Sequence, residues 1–189
     1  TYRDWARSPN PPDAASLVSR QRCLLHMLLA QILQSAQREG ESLEAGAAEL
    51  WKHPQVLDEL GQLMDVLESR IDHIHQPLDC RPDAPLQLHA RYTRPEILMA
   101  LGETKVKTAT SWREGVKWMP EQKTDVFVFT LDKSGKRFSP TTRYRDYAVS
   151  PRIIHWESQS TTSAASPTGT RYQQHVQQGS IVLLFARLS

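Results

Sequence analysis

A short proline-containing segment divides the chain, and the residues on its two sides follow different patterns. It reads Cys80-Arg-Pro-Asp-Ala-Pro85, with two prolines in four residues. A proline inside a helix removes a backbone hydrogen bond and clashes with the preceding turn, so a helical pattern ends here. Apolar residues recur at helical spacing before the segment, whereas short apolar runs separated by turn residues follow it. The segment therefore predicts two domains, 1–82 and 83–189.

The first domain is predicted to be a helical bundle or hairpin that serves as a linker or docking element. The prolines among residues 9–12 predict an extended opening arm. Asp13 or Ser16 offers an N-cap for the first helix and Gly40 a stop. The predicted helices cover residues 17–40, 42–52 and 54–74.

The second domain is predicted to be a strand-dominated curved sheet or small barrel with two short helices, which makes the whole chain an α+β protein. Thr93 and Glu96 have the spacing of a capping box, and Gly102 and Gly179 end the two helices. Residues 103–113 are polar and predict a loop. The predicted strands cover residues 86–92, 115–119, 125–131, 153–156 and 181–185; the predicted helices cover 93–102 and 170–178; a turn is predicted at 132–136.

Charge is distributed unevenly between the two predicted domains. Residues 1–82 contain 8 basic and 12 acidic side chains, a net charge of −4, and residues 83–189 contain 15 and 9, a net charge of +6. The second domain also holds 11 of the 14 aromatic residues. A basic, aromatic-rich module suits a nucleic acid, whose phosphates attract cations and whose bases stack on rings. A β-rich domain with a solvated charged surface would have the same composition.

Several kinds of chemistry lack their motifs in this sequence. There is no GxxxxGK[ST] loop, no GxGxxG and no GxSxG, so nucleotide-dependent and serine-nucleophile catalysis find no support. The two cysteines are far apart and form no CxxC, which predicts neither a zinc site nor a disulfide scaffold and favours a reducing, cytoplasmic setting. No apolar run is long enough to span a membrane. We expect no catalytic residue, metal or cofactor in this part of the protein.

One enzymatic pattern remains as an alternative. Asp146 is followed eleven residues later by Glu157-Ser-Gln159, an arrangement that resembles the metal-binding acids of restriction-type nucleases with Gln in the usual position of Lys. Two carboxylates at a strand end could hold Mg²⁺ and activate water. We treat a metal-dependent nuclease as the least favoured hypothesis because the lysine is missing.

Recognition residues are concentrated between residues 133 and 159. Basic side chains there can contact phosphates, aromatic rings can stack on bases, and carboxylate or amide groups can bind the hydrogen-bonding edge of an extruded base. Tyr144 and Trp156 could instead belong to the core, and Asp146 could pair with a neighbouring arginine. The base-pocket candidates are Tyr144, Asp146, Tyr147, His155, Trp156, Glu157, Ser158 and Gln159. The phosphate-contact candidates are Arg91, Lys133, Lys136, Arg137, Arg143 and Arg145.

Residues 86–189 resemble a known family throughout their length. The matching segments include Phe138-Ser-Pro-Thr-Thr-Arg-Tyr-Arg-Asp-Tyr-Ala-Val-Ser-Pro151 and His155-Trp-Glu-Ser-Gln-Ser160. This part of the chain is similar to the uncharacterised C-terminal domain of bacterial superfamily 2 helicases, many of which carry an N-terminal phospholipase-D-like nuclease. The other matching positions are 88–94, 97–98, 102, 113–116, 130–134, 166–169, 172, 182–185 and 187.

The resemblance implies a role in defence against foreign DNA. The family includes ATP-dependent type IV restriction enzymes that cut DNA containing modified cytosine. It implies that this domain reads 5-methylcytosine or a related base in double-stranded DNA, for helicase and nuclease domains of the same polypeptide that use ATP and Mg²⁺. By analogy with other modified-base readers, the domain could flip the base into a pocket. An interaction or regulatory domain that docks on its own helicase is the main alternative.

Overall fold

The computed structural model describes residues 1–33, 42–71, 76–131, 146–150 and 152–187. These residues form an α+β fold, as predicted. They divide into two compact units, unit 1 from Thr1 to Trp112 and unit 2 from Arg113 to Ser189. None of the helices in these ranges combines the length and the apolar character that a membrane crossing needs.

Unit 1 is helical throughout its regular elements. Its described helices are α1 (Tyr2–Ala6), α2 (Ser19–Ile32), α3 (Leu43–Trp51), α4 (Pro54–Ser69), α5 (Arg94–Ala100) and α6 (Val106–Ser111). Leucines of α2, α3 and α4 form a buried cluster that includes Leu25, Leu29, Leu50 and Leu57. Burying such side chains stabilises each by about 1.5–3 kcal/mol relative to exposure, which explains why the three predicted helices form.

The helix boundaries confirm some of the sequence predictions and correct others. Ser42 caps α3 by accepting the Ala45 N–H, and Pro54 opens α4 as predicted. The predicted cap of α2 is wrong. Its N-cap is Val18, whose N–H donates to the Gln21 side chain, while Asp13 accepts from Ala15 in a preceding turn. The first and third predicted helices end earlier than residues 40 and 74: α2 ends at Ile32 with Leu33 as its C-cap, and α4 ends at Ser69 with Arg70 as its C-cap.

Three other expectations for unit 1 are corrected. Residues 2–6 are helical and not extended, because Pro9 restricts only itself and the preceding Ser8, and both follow the helix. No strand forms over 86–92, where His89 has a φ of 63° that interrupts an extended chain. Residues 106–111 form α6 where a loop was predicted.

The compact units do not divide where the sequence pattern changes. The predicted boundary at 82/83 precedes α5, whereas unit 1 extends to Trp112. The capping box predicted for α5 is confirmed: Thr93 accepts from the Glu96 N–H, and the Glu96 carboxylate accepts from the Thr93 N–H. The buried face of α5 packs against α2, which places it in the helical unit. The proline-containing segment therefore interrupts unit 1 without ending it.

Unit 2 contains a three-stranded sheet, a separate two-stranded hairpin and one helix among its described residues. The elements are β1 (Val116–Met119), β2 (Thr124–Thr130), β3 (Tyr147–Ser150), β4 (Ile153–His155), α7 (Pro167–Gln173) and β5 (Ile181–Arg187). β2 is central, antiparallel to β1 and parallel to β5. It is buried on both faces, which accounts for its nearly continuous apolar sequence. The described strands do not close into a barrel.

Two local predictions in unit 2 differ from the structure. β3 was not predicted, because its outward residues do not alternate with buried ones. The last helix begins at Pro167 and not at residue 170, since Ser166 accepts the Gly169 N–H as the N-cap and Pro167 occupies the first turn. Gly179, the predicted stop, has a φ of +64°, the left-handed conformation that favours glycine, but the helix ends earlier, at Gln173. The predicted turn at 132–136 lies outside the described residues.

Candidate nucleic-acid interface

The hairpin β3–β4 carries an exposed apolar and aromatic face. Tyr147 pairs with His155 across the two antiparallel strands, and a register shift lies between Ala148 and Ser150. Tyr147, Val149 and Ile153 are each more than half exposed, at 52%, 57% and 58%. Large apolar side chains in such a contiguous group on a surface mark an interaction site more often than isolated ones do.

The rings of Tyr147 and His155 stack on each other in this face. Their centroids are 4.8 Å apart and their planes differ by 26°. The His155 Nε2 lies 3.8 Å from a carboxylate oxygen of Glu157, which belongs to the chain segment after β4. The stacked pair presents flat ring surfaces and ring edges to solvent.

Trp156 lies on the other side of the hairpin, in an aromatic cluster of unit 2. Its ring stacks on Phe127 of β2 with a centroid distance of 4.2 Å and an interplanar angle of 23°. Tyr172 of α7 meets both rings edge-on, at 4.9 Å from Phe127 and 5.6 Å from Trp156. Phe127 is buried, so these contacts anchor the hairpin to the central strand. Trp156 is half-buried in this cluster and packs against the core residue Phe127.

Polar groups close the base of the hairpin. A carboxylate oxygen of Asp146 accepts the Glu157 N–H at 3.0 Å, which connects the residue before β3 to the chain after β4. The Gln159 carbonyl oxygen accepts the Thr162 N–H at 2.8 Å, and the Ser158 hydroxyl donates to the Thr162 carbonyl at 3.4 Å. Asp146, Glu157 and Gln159 are half-buried residues of this segment.

The structure brings together seven of the eight base-pocket candidates: Asp146, Tyr147, His155, Trp156, Glu157, Ser158 and Gln159 all belong to the hairpin or its base. Tyr144 lies outside the described residues, as do Lys133, Lys136, Arg137, Arg143 and Arg145. Arg91 is exposed and belongs to unit 1, so it is not part of the unit that contains the hairpin.

Sequence reasoning missed a buried ion pair in unit 2. Arg171 of α7 donates to both carboxylate oxygens of Asp125, from Nε at 2.7 Å and from Nη2 at 3.0 Å. The Asp125 side chain is 1% exposed and that of Arg171 18%. The guanidinium also lies over the Trp118 ring, 4.2 Å from its centroid. The signal in the sequence is a lone carboxylate inside the apolar run of β2, since buried carboxylates need a partner.

This ion pair also sets the electrostatics around the aromatic cluster. Hydrogen bonds with Asp125 raise the pKa of Arg171, so the guanidinium stays charged. Burial, followed by the nearby Asp125 carboxylate, raises the pKa of the Tyr172 phenol and keeps it neutral. The aromatic cluster therefore lies beside one ion pair whose two opposite charges neutralise each other.

The described residues do not assemble a recognisable metal centre. No three His, Cys, Asp or Glu side chains among them converge at metal-binding distance. Asp146 and Glu157, the two acids of the nuclease hypothesis, are connected by the hydrogen bond from the Glu157 N–H to the Asp146 carboxylate. The nuclease hypothesis stays a prediction.

Comparison with known proteins adds one finding to this geometry. Neither the curated proteins nor the solved structures contain a match to the chain. The model of the family DUF3427, described as a domain of unknown function, matches residues 86–189, which include α5, α6 and all described elements of unit 2. Because the match covers more than half of the chain, the protein belongs to the DUF3427 family.

Proposed function

We propose that the DUF3427 part of the chain is the DNA-binding reader module of a modification-dependent restriction helicase-nuclease. In this proposal it recognises modified cytosine, such as 5-methylcytosine, in double-stranded DNA after the base leaves the helical stack. The observation that carries the proposal is the exposed Tyr147–His155 stack on the β3–β4 hairpin.

Exposed rings and apolar side chains suit the work of unstacking DNA. An aromatic ring that stacks on a base contributes about 1–3 kcal/mol to binding. Apolar side chains such as Val149 and Ile153 can wedge between base steps and offset part of the unstacking cost. A base extruded next to the hairpin would meet the carboxylates of Asp146 and Glu157, and a carboxylate accepts a hydrogen bond from the cytosine amino group.

The charge of the module supports binding to a polyanion. Residues 83–189 have a net charge of +6, and Arg152 lies exposed between β3 and β4. Cations that neutralise phosphates release counterions, so affinity should fall as salt concentration rises. Phosphate contacts position the module, and the hairpin supplies the discrimination between bases.

The remaining activities belong to other parts of the intact protein in this proposal. The family resemblance supplies a helicase and a phospholipase-D-like nuclease as covalent partners, with ATP and Mg²⁺ as their requirements. The module itself acts by binding. DNA captured through the hairpin would then be translocated and cut by the attached domains.

The same exposed face favours a second candidate function. Tyr147, Val149 and Ile153 form an apolar surface that could dock on the helicase part of the protein. In that case the chain would bind every DNA equally weakly and would bind the separately produced helicase part. A binding titration against both partners separates the two functions.

Replacing Tyr147 with Ala is expected to weaken binding to a duplex containing 5-methylcytosine by about tenfold, because one stacking ring worth about 1.4 kcal/mol is lost. The ring is half exposed, so unfolding should change little. Fluorescence anisotropy with labelled duplex measures the affinity. Val176→Ala is the matched control, since Val176 is 76% exposed in the same unit and lies outside the hairpin. Unchanged affinity for Tyr147→Ala would remove the stack from the interface.

A further inference from the structure

Helix α4 in unit 1 has two faces with opposite properties. Its inner face packs within unit 1: Leu57 and Gly61 are buried, and Asp65 and Glu68 form ion pairs with Arg3. Its outer face carries exposed apolar side chains, which none of the described residues buries. The exposed apolar side chains on or directly after this helix are Val56, Leu63, Val66, Leu67 and Ile71, between 38% and 51% exposed.

The spacing of these residues makes a continuous stripe. Val56, Leu63 and Leu67 are separated by seven and four residues, which places them above one another on a helix of about 3.6 residues per turn. Leu60, between the first two in sequence, is half-buried and packs against the leucine cluster of unit 1. A seven-residue repeat of this kind is the seam along which two helices pack.

Two charged residues flank the same side of the stripe. Glu59 and Arg70 are both exposed, and neither has an ion-pair partner among the described residues. Eleven residues separate them, about three turns, so they share one side of α4. Asp65 and Glu68, in contrast, form ion pairs with Arg3 of α1. The outer side thus carries one positive and one negative charge at opposite ends.

We propose that this stripe binds α4 of a second copy of the chain in an antiparallel, two-fold symmetric pair. With the axis near the midpoint between Leu63 and Leu67, the two leucines of one copy pack against those of the other. Glu59 lies four residues before Leu63 and Arg70 three residues after Leu67. In the antiparallel pair, Glu59 of each copy therefore faces Arg70 of the other copy.

Charge complementarity decides between this occupant and others. A two-fold interface must match its own surface, and a stripe with Glu59 at one end and Arg70 at the other does so only when antiparallel. In a parallel two-fold pair the charges of the two copies would lie on opposite edges of the seam, so no contact between Glu59 and Arg70 would form. The contact of one helix pair is smaller than a standard interface, so we expect dimerisation at about micromolar concentration.

The test exchanges the two charges and measures mass by sedimentation equilibrium over a concentration series. A reductant is present because Cys23 and Cys80 are unpaired. Glu59→Arg alone and Arg70→Glu alone should each weaken dimerisation by about tenfold, since two attractive pairs become repulsive. Mixing the two single variants should restore dimers, because all facing charges are then opposite. Gln62→Lys is the control, as Gln62 is exposed on another side of α4.

Circular dichroism of each variant separates loss of pairing from loss of folding, and Leu63→Lys provides a second disruption that is independent of the flanking charges. A chain that is monomeric at every concentration would overturn the proposal. So would a dimer that Glu59→Arg and Leu63→Lys leave intact, because the contact would then lie elsewhere. A mixture of the charge variants that stays monomeric would overturn the antiparallel arrangement.

Discussion

Replacing Arg171 with Met should destabilise unit 2 by about 3–5 kcal/mol. Methionine keeps much of the side-chain volume against Trp118 but leaves the Asp125 carboxylate, 1% exposed, without its bidentate partner. A buried, unpaired carboxylate is far more costly than the pair is favourable. This is the largest effect that we expect from removing one charged group.

Amide hydrogen exchange of β2 and β5 in the whole chain measures this loss, because it reports on unit 2 alone. The double variant Asp125→Leu, Arg171→Met removes both charges and should regain much of the stability that the single variant loses. Arg171→Lys, which keeps the charge but not the two-bond geometry, should lie between the wild type and Arg171→Met. Equal stability of wild type and Arg171→Met would show that the pair does not hold α7 on the sheet.

Replacing Gly169 with Ala should destabilise unit 2 by about 3 kcal/mol, through overpacking against backbone. A Cβ at Gly169 would overlap the carbonyl oxygen of Ser163 and lie 3.0 Å from the Cα of Ala164. Neither atom can rotate away, since Ser163 and Ser166 form the capped entrance to α7. The helix start would have to move, and Tyr172 with it.

Gly179→Ala is the matched control for this substitution. Gly179 has open space around its Cα but a φ of +64°, so alanine there costs only about 1–2 kcal/mol of backbone strain. Denaturant unfolding followed by hydrogen exchange in α7 and β2 compares the two. A smaller loss at Gly169 than at Gly179 would contradict the close approach of the 163–166 loop.

Patterns among neighbouring residues predicted many elements of this fold. They failed for elements whose structure or position depends on packing between distant parts of the chain. Helical spacing of leucines predicted α2 to α4, and the Thr93–Glu96 spacing predicted the cap of α5, because these signals lie within a few residues of one another. β3 was not predicted, because Tyr147–Ser150 has no buried face and so lacks the alternation of buried and exposed residues that indicates a strand. The assignment of α5 to unit 1 depends on packing against α2, more than sixty residues earlier in the chain.

The candidate site was predictable in composition and less so in arrangement. The sequence grouped Tyr147, His155 and Trp156 in one pocket, whereas the strand pairing places the first two on an exposed face and the third in the aromatic cluster. Adjacent residues of a strand point to opposite faces, so this separation follows once β4 is located. The Asp125–Arg171 pair joins residues 46 positions apart, so the lone carboxylate in β2 indicates that a partner is needed but not which residue supplies it.

The central claim is that the module distinguishes modified from unmodified DNA, and one titration tests it most directly. Matched duplexes that differ only in 5-methylation of cytosine are titrated with the whole chain at two salt concentrations. We expect the methylated duplex to bind about tenfold more tightly at both, because one added methyl group against apolar side chains such as Val149 and Ile153 contributes about 1–3 kcal/mol. We also expect both affinities to fall with salt. Equal affinities for the two duplexes at both salt concentrations would contradict the claim.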